Sequence, residues 1–255
     1  MTTDYDRWLE EPYEEMYDED EDEDEVAELS IDDMIHHSGF VRLDAVMADD
    51  LSVVNSARVS FGKRREELDE ADKGLINFLM RERHGTPFEH NSFRFHVSCP
   101  IFVAREWFRH RIGSFNEFSG RYTEMRTDSY VPAIEDMRTQ VGKPGSYSFE
   151  KMDDDSALEA LGVMREAYAE TFHAYLRLLE LGVAKEIARV VIPVGTFTEF
   201  YWTVNARALM NFLSLRTHKS AQLEIRDYAG NVERHFAENM PITYASWIAN
   251  GKVAP

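Results

Sequence analysis

Residues 100–122 read PIFVAREWFRHRIGSFNEFSGRY, an apolar run that passes directly into a dense polar one. Ser98 and Pro100 are start signals for a helix, with Pro100 in or near its first turn. The predicted helix runs to about His110 and carries Arg109, His110 and Arg111 out at its C-terminal end. Gly113 to Gly120 reads as a loop, and Tyr122 to Val131 as extended chain. Arg109, Arg111 and Arg121 bear planar forks that match phosphate or carboxylate. Asn116 and Glu117 among them point to recognition of more than a phosphate.

Upstream, Phe40 to Met47 is a predicted strand and Asp50 to Val59 a predicted helix. Leu75, Ile76, Leu79 and Met80 stand at helical spacing within a second helix over Leu68 to Arg83, which Gly85-Thr86-Pro87 ends. Phe93, Phe95 and Val97 alternate with Arg94 and His96, the period of a half-buried strand. Downstream, residues 135–155 are polar, hold Gly142, Pro144 and Gly145, and read as an exposed insertion. Four late helices are expected, over Ala157–Leu181, Ala184–Ile192, Thr198–Leu215 and Ala221–Asn239. On the third, Trp202, Asn205, Leu209, Phe212, Leu213 and Arg216 share a broad face, while Arg207 and Asn211 project elsewhere. An arginine in an apolar stripe needs an acceptor, unless it snorkels from the helix end. The expected fold class is α/β in the α+β sense: a central mixed sheet flanked by helices, a mostly helical C-terminal half, one domain. Its expected bounds are 36–245, after an acidic disordered tail over 1–35 and before a C-terminal tail over 246–255.

Of the 255 residues 44% are hydrophobic, ample for a core, and the formal net charge is −19. Residues 1–30 hold fifteen acidic side chains and one arginine, a net of −14, which leaves −5 for the remaining 225. Like charges extend such a tract, and a solubilising role is the simplest reading of it. A mildly acidic body argues against a general nucleic-acid binder but allows basic pockets for small anions. A single cysteine excludes an intrachain disulfide and a thiolate metal site. No apolar run spans a bilayer and no secretory signal opens the chain, so a cytoplasmic, reducing setting is expected.

The even spacing of His84, His90 and His96 matches no common metal geometry, and the lone Glu170–His173 pair lacks the second pair a di-iron bundle needs. No metal is expected. Cys99 reads as a buried small residue in preference to a nucleophile. Ser119 reads as a hydrogen-bond donor, since Glu117 amid arginines is a poor base. Neither GxGxxG nor a P-loop occurs.

The run RHRIGSFNEFSGRY at 109–122 resembles the signature of the flavin-dependent thymidylate synthases, RHRxxSxNxxSxRY. Arg109, His110, Arg111, Ser114, Asn116, Ser119, Arg121 and Tyr122 meet every fixed position. SARVSF at 56–61, HGTPFEH at 84–90, PIFVAREWF at 100–108, EIARVVIP at 186–193 and TVNARALMNFLSLR at 203–216 are similar to family segments in the family's order.

The resemblance implies reductive methylation of dUMP to dTMP. In that reaction 5,10-methylenetetrahydrofolate gives the one-carbon unit, tightly bound FAD reduced by NADPH gives the hydride, and no cysteine nucleophile takes part. It further implies a homotetramer with active sites at subunit interfaces, and no membrane or nucleic-acid polymer as partner. By the same resemblance Ser60, His84, Thr86, Arg109, His110, Arg111, Glu117, Asn205, Ala206, Arg207 and Asn211 hold FAD, with the residues from 205 to 211 reaching a neighbouring subunit's flavin and His84 near the folate. Glu106, Trp107, Phe108, Arg109, Glu117, Phe118, Ser119, Gly120, Arg121, Arg189 and Arg216 hold dUMP. Arg216 matches the catalytic residue that promotes ionisation at N3 of the uracil. A departure stands at Ser220, where many relatives have histidine, with His218 two places away. A flavin- and nucleotide-binding protein of the same fold without turnover is the alternative reading.

Overall fold

The computed structural model describes residues 34–36 and 38–255. Most of the expected acidic tail therefore lies outside the described residues; of its last positions, Met34–Ile35 form a short strand, β1. The core of the fold is a five-stranded sheet in the order β1-β2-β3-β7-β4, with β2 Gly39–Met47, β3 Ser92–Pro100, β4 Ser114–Glu117 and β7 Phe197–Asn205. Every pairing in it is antiparallel, so the sheet is not mixed as expected. Short hairpin-like neighbours and returning helices suffice to connect these strands, and no parallel crossover is needed.

Strand alternation gives the sheet two unlike faces. Phe93, Phe95, Val97 and Cys99 of β3 and Phe200, Trp202 and Val204 of β7 point into one buried core. Helices α1 Asp50–Arg58, α2 Glu70–Arg81, α4 Ile101–Trp107, α7 Ala206–Arg216, α8 Leu223–Asn239 and α9 Pro241–Ala249 supply the rest of that core. A short α3, Thr86–Glu89, precedes β3. On the opposite face His96 stacks on Tyr201 with ring centroids 4.6 Å apart and bonds Glu199.

The largest correction concerns residues 198–205, expected as the start of a helix. They belong to β7, and the helix begins only at Ala206, where the Asn205 side chain accepts from the Ala208 amide. Trp202 and Asn205 therefore do not share a helix face with Arg216. The expected loop from 113 to 120 holds β4, which pairs with β7 from Ser114↔Thr203 to Glu117↔Phe200. Tyr122 to Val131, expected as extended, makes one isolated bridge, Ser129↔Thr196. Pro100 ends β3 and stands before α4, which stops at Trp107 rather than His110.

The polar insertion is a two-stranded hairpin, β5 Arg138–Lys143 and β6 Ser146–Lys151. It leads into α5, Asp154–Glu180, capped by Asp153 on the Ser156 amide. The expected helix over 184–192 is shorter: α6 Lys185–Ala188 followed by a 3-10 turn, Arg189–Val191. Residues 246–255, set apart above as a tail, pack on the body: Trp247 is buried and Arg207 donates to the Pro255 carbonyl at 2.6 Å. Among the described residues no helix is long and apolar enough to cross a membrane.

Candidate active site

α4 is held in place by aromatic packing. Trp107 lies fully in the core, edge-on to Trp202 at 5.3 Å and tilted against Phe212 at 4.8 Å. Its side chain is thus withdrawn from the substrate contact expected of it, and only its main chain remains for that role. Phe108, the C-cap of α4, packs edge-on to Phe115 and Phe200, each at 5.0 Å. These contacts fix the helix end that presents Glu106 and His110.

Arg216, at the last position of α7, meets both. Its Nε donates to His110 Nε2 at 3.0 Å, its Nη1 to Glu106 Oε2 at 2.7 Å and its Nη2 to the Glu106 carbonyl at 2.9 Å. Three of the five guanidinium N–H bonds are so used, and two remain. Arg216 is 18% exposed, so it is neither snorkelling into water nor sealed in the core. Burial and the adjacent Arg216 cation push His110 down to about 4, which keeps the imidazole neutral near pH 7. Burial raises Glu106 above its ordinary value; Arg216 opposes this and Glu224 adds to it.

β4 and the segment after it bring in the next group. Thr198 Oγ1 donates to Glu117 Oε1 at 2.8 Å, and the Phe118 amide bonds the Glu199 carbonyl at 2.8 Å. The chain then turns at Ser119, whose carbonyl accepts from the Tyr122 and Thr123 amides. This loop docks on α6: Arg121 pairs with Glu186 at 3.3 Å, and Lys185 approaches the Tyr122 carbonyl at 3.5 Å. Gly120 is buried, and a Cβ there would stand 2.2 Å from Met125 Sδ and 3.3 Å from Arg189 Cδ. A side chain at Gly120 would therefore have to displace the Met125 side chain. Ser119, Gly120, Arg121 and Arg189 thus come together. Arg109, Arg111 and Arg189 are exposed and make no ion pair or side-chain hydrogen bond among the described residues.

A second group gathers at the other end of α7. Arg207 donates from Nη1 to Glu89 at 2.5 Å and packs against Gly85, where a Cβ would lie 2.5 Å from its Nε. Thr86 opens α3 beside it, His84 rests edge-on to Phe78 at 5.6 Å, and Asn211 is exposed one turn along α7. Ser60 is exposed in the 3-10 turn Val59–Phe61 after α1. Ala206 is buried and Asn205 is engaged as the helix cap. Arg216 lies nine positions after Arg207, about 14 Å along the axis and about 180° around it. One chain therefore does not bring the two groups to one point. His218 and Ser220 bond each other at 2.7 Å in an exposed turn.

Cys99 is fully buried at the end of β3, and burial together with Glu117 pushes its thiol well above the ordinary range. A thiolate is not available there. The sequence reading missed a pair of polar networks. Arg126 grips Asp128 and reaches Glu199, which bonds His96. Arg138 of the hairpin grips Glu224 at 2.9 and 3.0 Å, with Tyr130 donating to the same carboxylate at 3.1 Å. Both join residues distant in sequence, and no local spacing announces them.

The fold is α+β, and the site sets exposed arginines near the Glu106–His110–Arg216 cluster in sequence or along one element. Residues 42–242 match the family described as thymidylate synthase complementing protein. Proteins named flavin-dependent thymidylate synthase from Thermosipho africanus and Streptomyces avermitilis are each 47% identical, over 210 and 223 residues, covering 82% of this chain and 91% and 90% of theirs. A solved UMP/dUMP methylase, PolB from Streptomyces cacaoi bound with 5-Br UMP, is 43% identical with a TM-score of 0.79, covering 85% of this chain and 96% of that one. The chain belongs to the flavin-dependent thymidylate synthase family.

Proposed function

We propose that this chain methylates dUMP reductively to dTMP, with 5,10-methylenetetrahydrofolate as one-carbon donor and NADPH as the reductant of its flavin. The observation that carries the reading is Arg216, gripped on three sides by Glu106 and His110, while a separate contact sets Arg189 against Gly120 in the loop that carries Arg121. The relation to PolB, solved with 5-Br UMP and with 5-Br dUMP, supports a pyrimidine monophosphate as the substrate.

Arg121 and Arg189 bind the nucleotide phosphate, with Ser119 as a donor to it. Glu117 and Phe118, fixed by β7, orient the base. Arg216 holds negative charge on the N3–carbonyl edge of the uracil with its two remaining N–H bonds. A guanidinium is too basic to take a proton, so it acts by stabilising charge. Charge pushed into the ring raises electron density at C5, the carbon that attacks the methylene donor. No cysteine takes part.

A flavin dinucleotide is a dianion with a flat ring, and the residues present fit it. Arg109 and Arg111 are exposed fixed cations without a partner among the described residues, suited to a pyrophosphate. His84, Thr86, Ser60, Arg207 and Asn211 form a second exposed surface for the same group. When bound, FAD supplies the hydride that completes the methyl group. Because Arg207 and Arg216 face opposite ways, the residues from 205 to 211 serve a neighbouring subunit's flavin, and a homotetramer in the cytoplasm is the working assembly.

The test is an absorption spectrum of the purified protein, followed by anaerobic NADPH with and without dUMP and the folate. A flavin spectrum that bleaches and then recovers with the substrates is expected. A flavin that bleaches and yields no dTMP, or dTMP that forms equally without added dUMP, contradicts the proposal.

A further inference from the structure

Arg216 has its direction set by Glu106 of α4 and by His110 just beyond the end of that helix. Glu106 fixes the outer nitrogens through its carboxylate and its carbonyl. Those contacts alone leave the Nε edge free to tilt. His110 closes that edge at 3.0 Å, and its ring is itself held edge-on against Phe212 at 5.0 Å. Since Arg216 Nε is always a donor, His110 Nε2 must be the acceptor, and the ring proton sits on Nδ1. A protonated imidazole would place N–H against N–H and cation against cation.

We propose that His110 is a positioning residue for the reaction: its neutral Nε2 accepts from Arg216 Nε and, with Glu106, locks the guanidinium plane in the direction that stabilises the uracil anion. This is a different role from holding the flavin, and it rests on the reading that Arg216 acts on the pyrimidine. The lock has a definite electrostatic setting. Arg216 faces His110 from α7, Glu106 faces Arg216 from α4, Glu224 at the start of α8 acts on Glu106, and Arg109 and Arg111 flank His110 in sequence. Arg138 holds Glu224 from the hairpin, so two neighbouring carboxylates, Glu224 and Glu106, are flanked by a cation at each end, Arg138 and Arg216. The imidazole is the one uncharged member, and acid alone turns it into a second cation beside Arg216.

The test compares His110→Gln, His110→Ala and wild type as the flavin-loaded holoenzyme, with flavin content, kcat and KM for dUMP measured on each. Glutamine offers a carbonyl oxygen in place of Nε2 and cannot become a cation. His110→Gln is expected to keep kcat within about threefold of wild type, and its acid limb is expected to lie lower in pH. His110→Ala is expected to keep its flavin and its KM within a fewfold while kcat falls about 100-fold, the scale of a misplaced catalytic group. Loss of flavin from His110→Ala at unchanged kcat per flavin overturns the proposal and returns His110 to the cofactor. Equal loss of kcat in both variants overturns it as well. Should wild type itself form no dTMP, the underlying reading of the site fails, a result these comparisons separate from failure of the lock.

Discussion

At the scale of single residues, the structure turns a list of polar positions into a division of labour. Arg216 is the sharpest case. Periodicity places it on an apolar stripe and leaves its acceptor open; the acceptors are Glu106 of α4 and His110 just after it, more than a hundred residues earlier. Arg216→Lys keeps the charge and loses the fork. Turnover of that variant should fall by about 100-fold to 1000-fold with the melting midpoint little changed, by the loss typical of one transition-state donor. Wild-type turnover in Arg216→Lys contradicts the role assigned to the fork. Cys99 gives the complementary prediction. Its thiol is buried and raised, so Cys99→Ala should retain activity at a stability cost of about 1 kcal/mol. An inactive but folded Cys99→Ala, seen by circular dichroism beside a turnover assay, would reopen a thiol mechanism. The motif residues at 109–121 are legible because they are contiguous. The partners that meet them, Thr198 for Glu117 and Glu186 for Arg121, are not, because each depends on chain folding back from elsewhere.

Elements tell where local reading holds and where it gives way. α1, α2 and α8 fall close to their expected spans because their apolar spacing and caps agree: Asp49 caps α1 and Asp69 with Asp72 forms a capping box on α2. β7 misled the reading. Phe200, Trp202 and Val204 alternate with Glu199, Tyr201 and Thr203, and β-branched and aromatic residues crowd the run, both strand signals. The helix that follows at Ala206 is strong, and its apolar period also fits Trp202 and Asn205 when continued backward. β4 was hidden for another reason: its four residues are short and polar, and only pairing with β7 makes them a strand. α9 shows an element held by one distant residue. Asp50 accepts from the Ile242 and Thr243 amides at 2.9 and 2.8 Å and from the Thr243 hydroxyl at 2.6 Å. Asp50→Ala strands these buried donors, and a cost of about 3 kcal/mol is expected, roughly 5–10 °C in melting midpoint. A midpoint unchanged by that substitution would show that α9 caps itself.

Over the whole molecule, the carboxylates that tie distant parts together make stability depend on pH. The His96 hydrogen bond, helped by Arg126 and Arg42, holds Glu199 below its ordinary value against burial. Burial pushes Glu224 up, yet hydrogen bonds from the main chain, Arg138 and Gln222 outweigh it and hold it low. A carboxyl lowered in the fold contributes stability that is present above its unfolded value, about 4.3, and is lost as pH falls through the folded one. His110, lowered to about 4, acts in the same direction from its unfolded value of about 6.5 downward. Glu106, raised, acts oppositely and weakens the effect without reversing three contributions. The melting midpoint should therefore fall from pH 7 to pH 4, and His110→Gln should remove the part of the fall that begins above pH 5. Thermal melts across that range check it, and a flat profile contradicts it. Deleting residues 1–30, which carry a net of −14 in sequence, should leave turnover nearly unchanged; a large drop in kcat would assign the acidic segment a part in the reaction.

The account turns on whether the arginines of this chain hold a pyrimidine monophosphate for methylation at C5. Mass analysis of the nucleotide after incubating the flavin-loaded protein with dUMP, 5,10-methylenetetrahydrofolate and NADPH measures that directly. A product heavier than dUMP by one CH2 and identical to dTMP, absent when Arg216 is replaced by alanine, is the predicted result. Recovery of dUMP alone from folded, flavin-containing protein would contradict it.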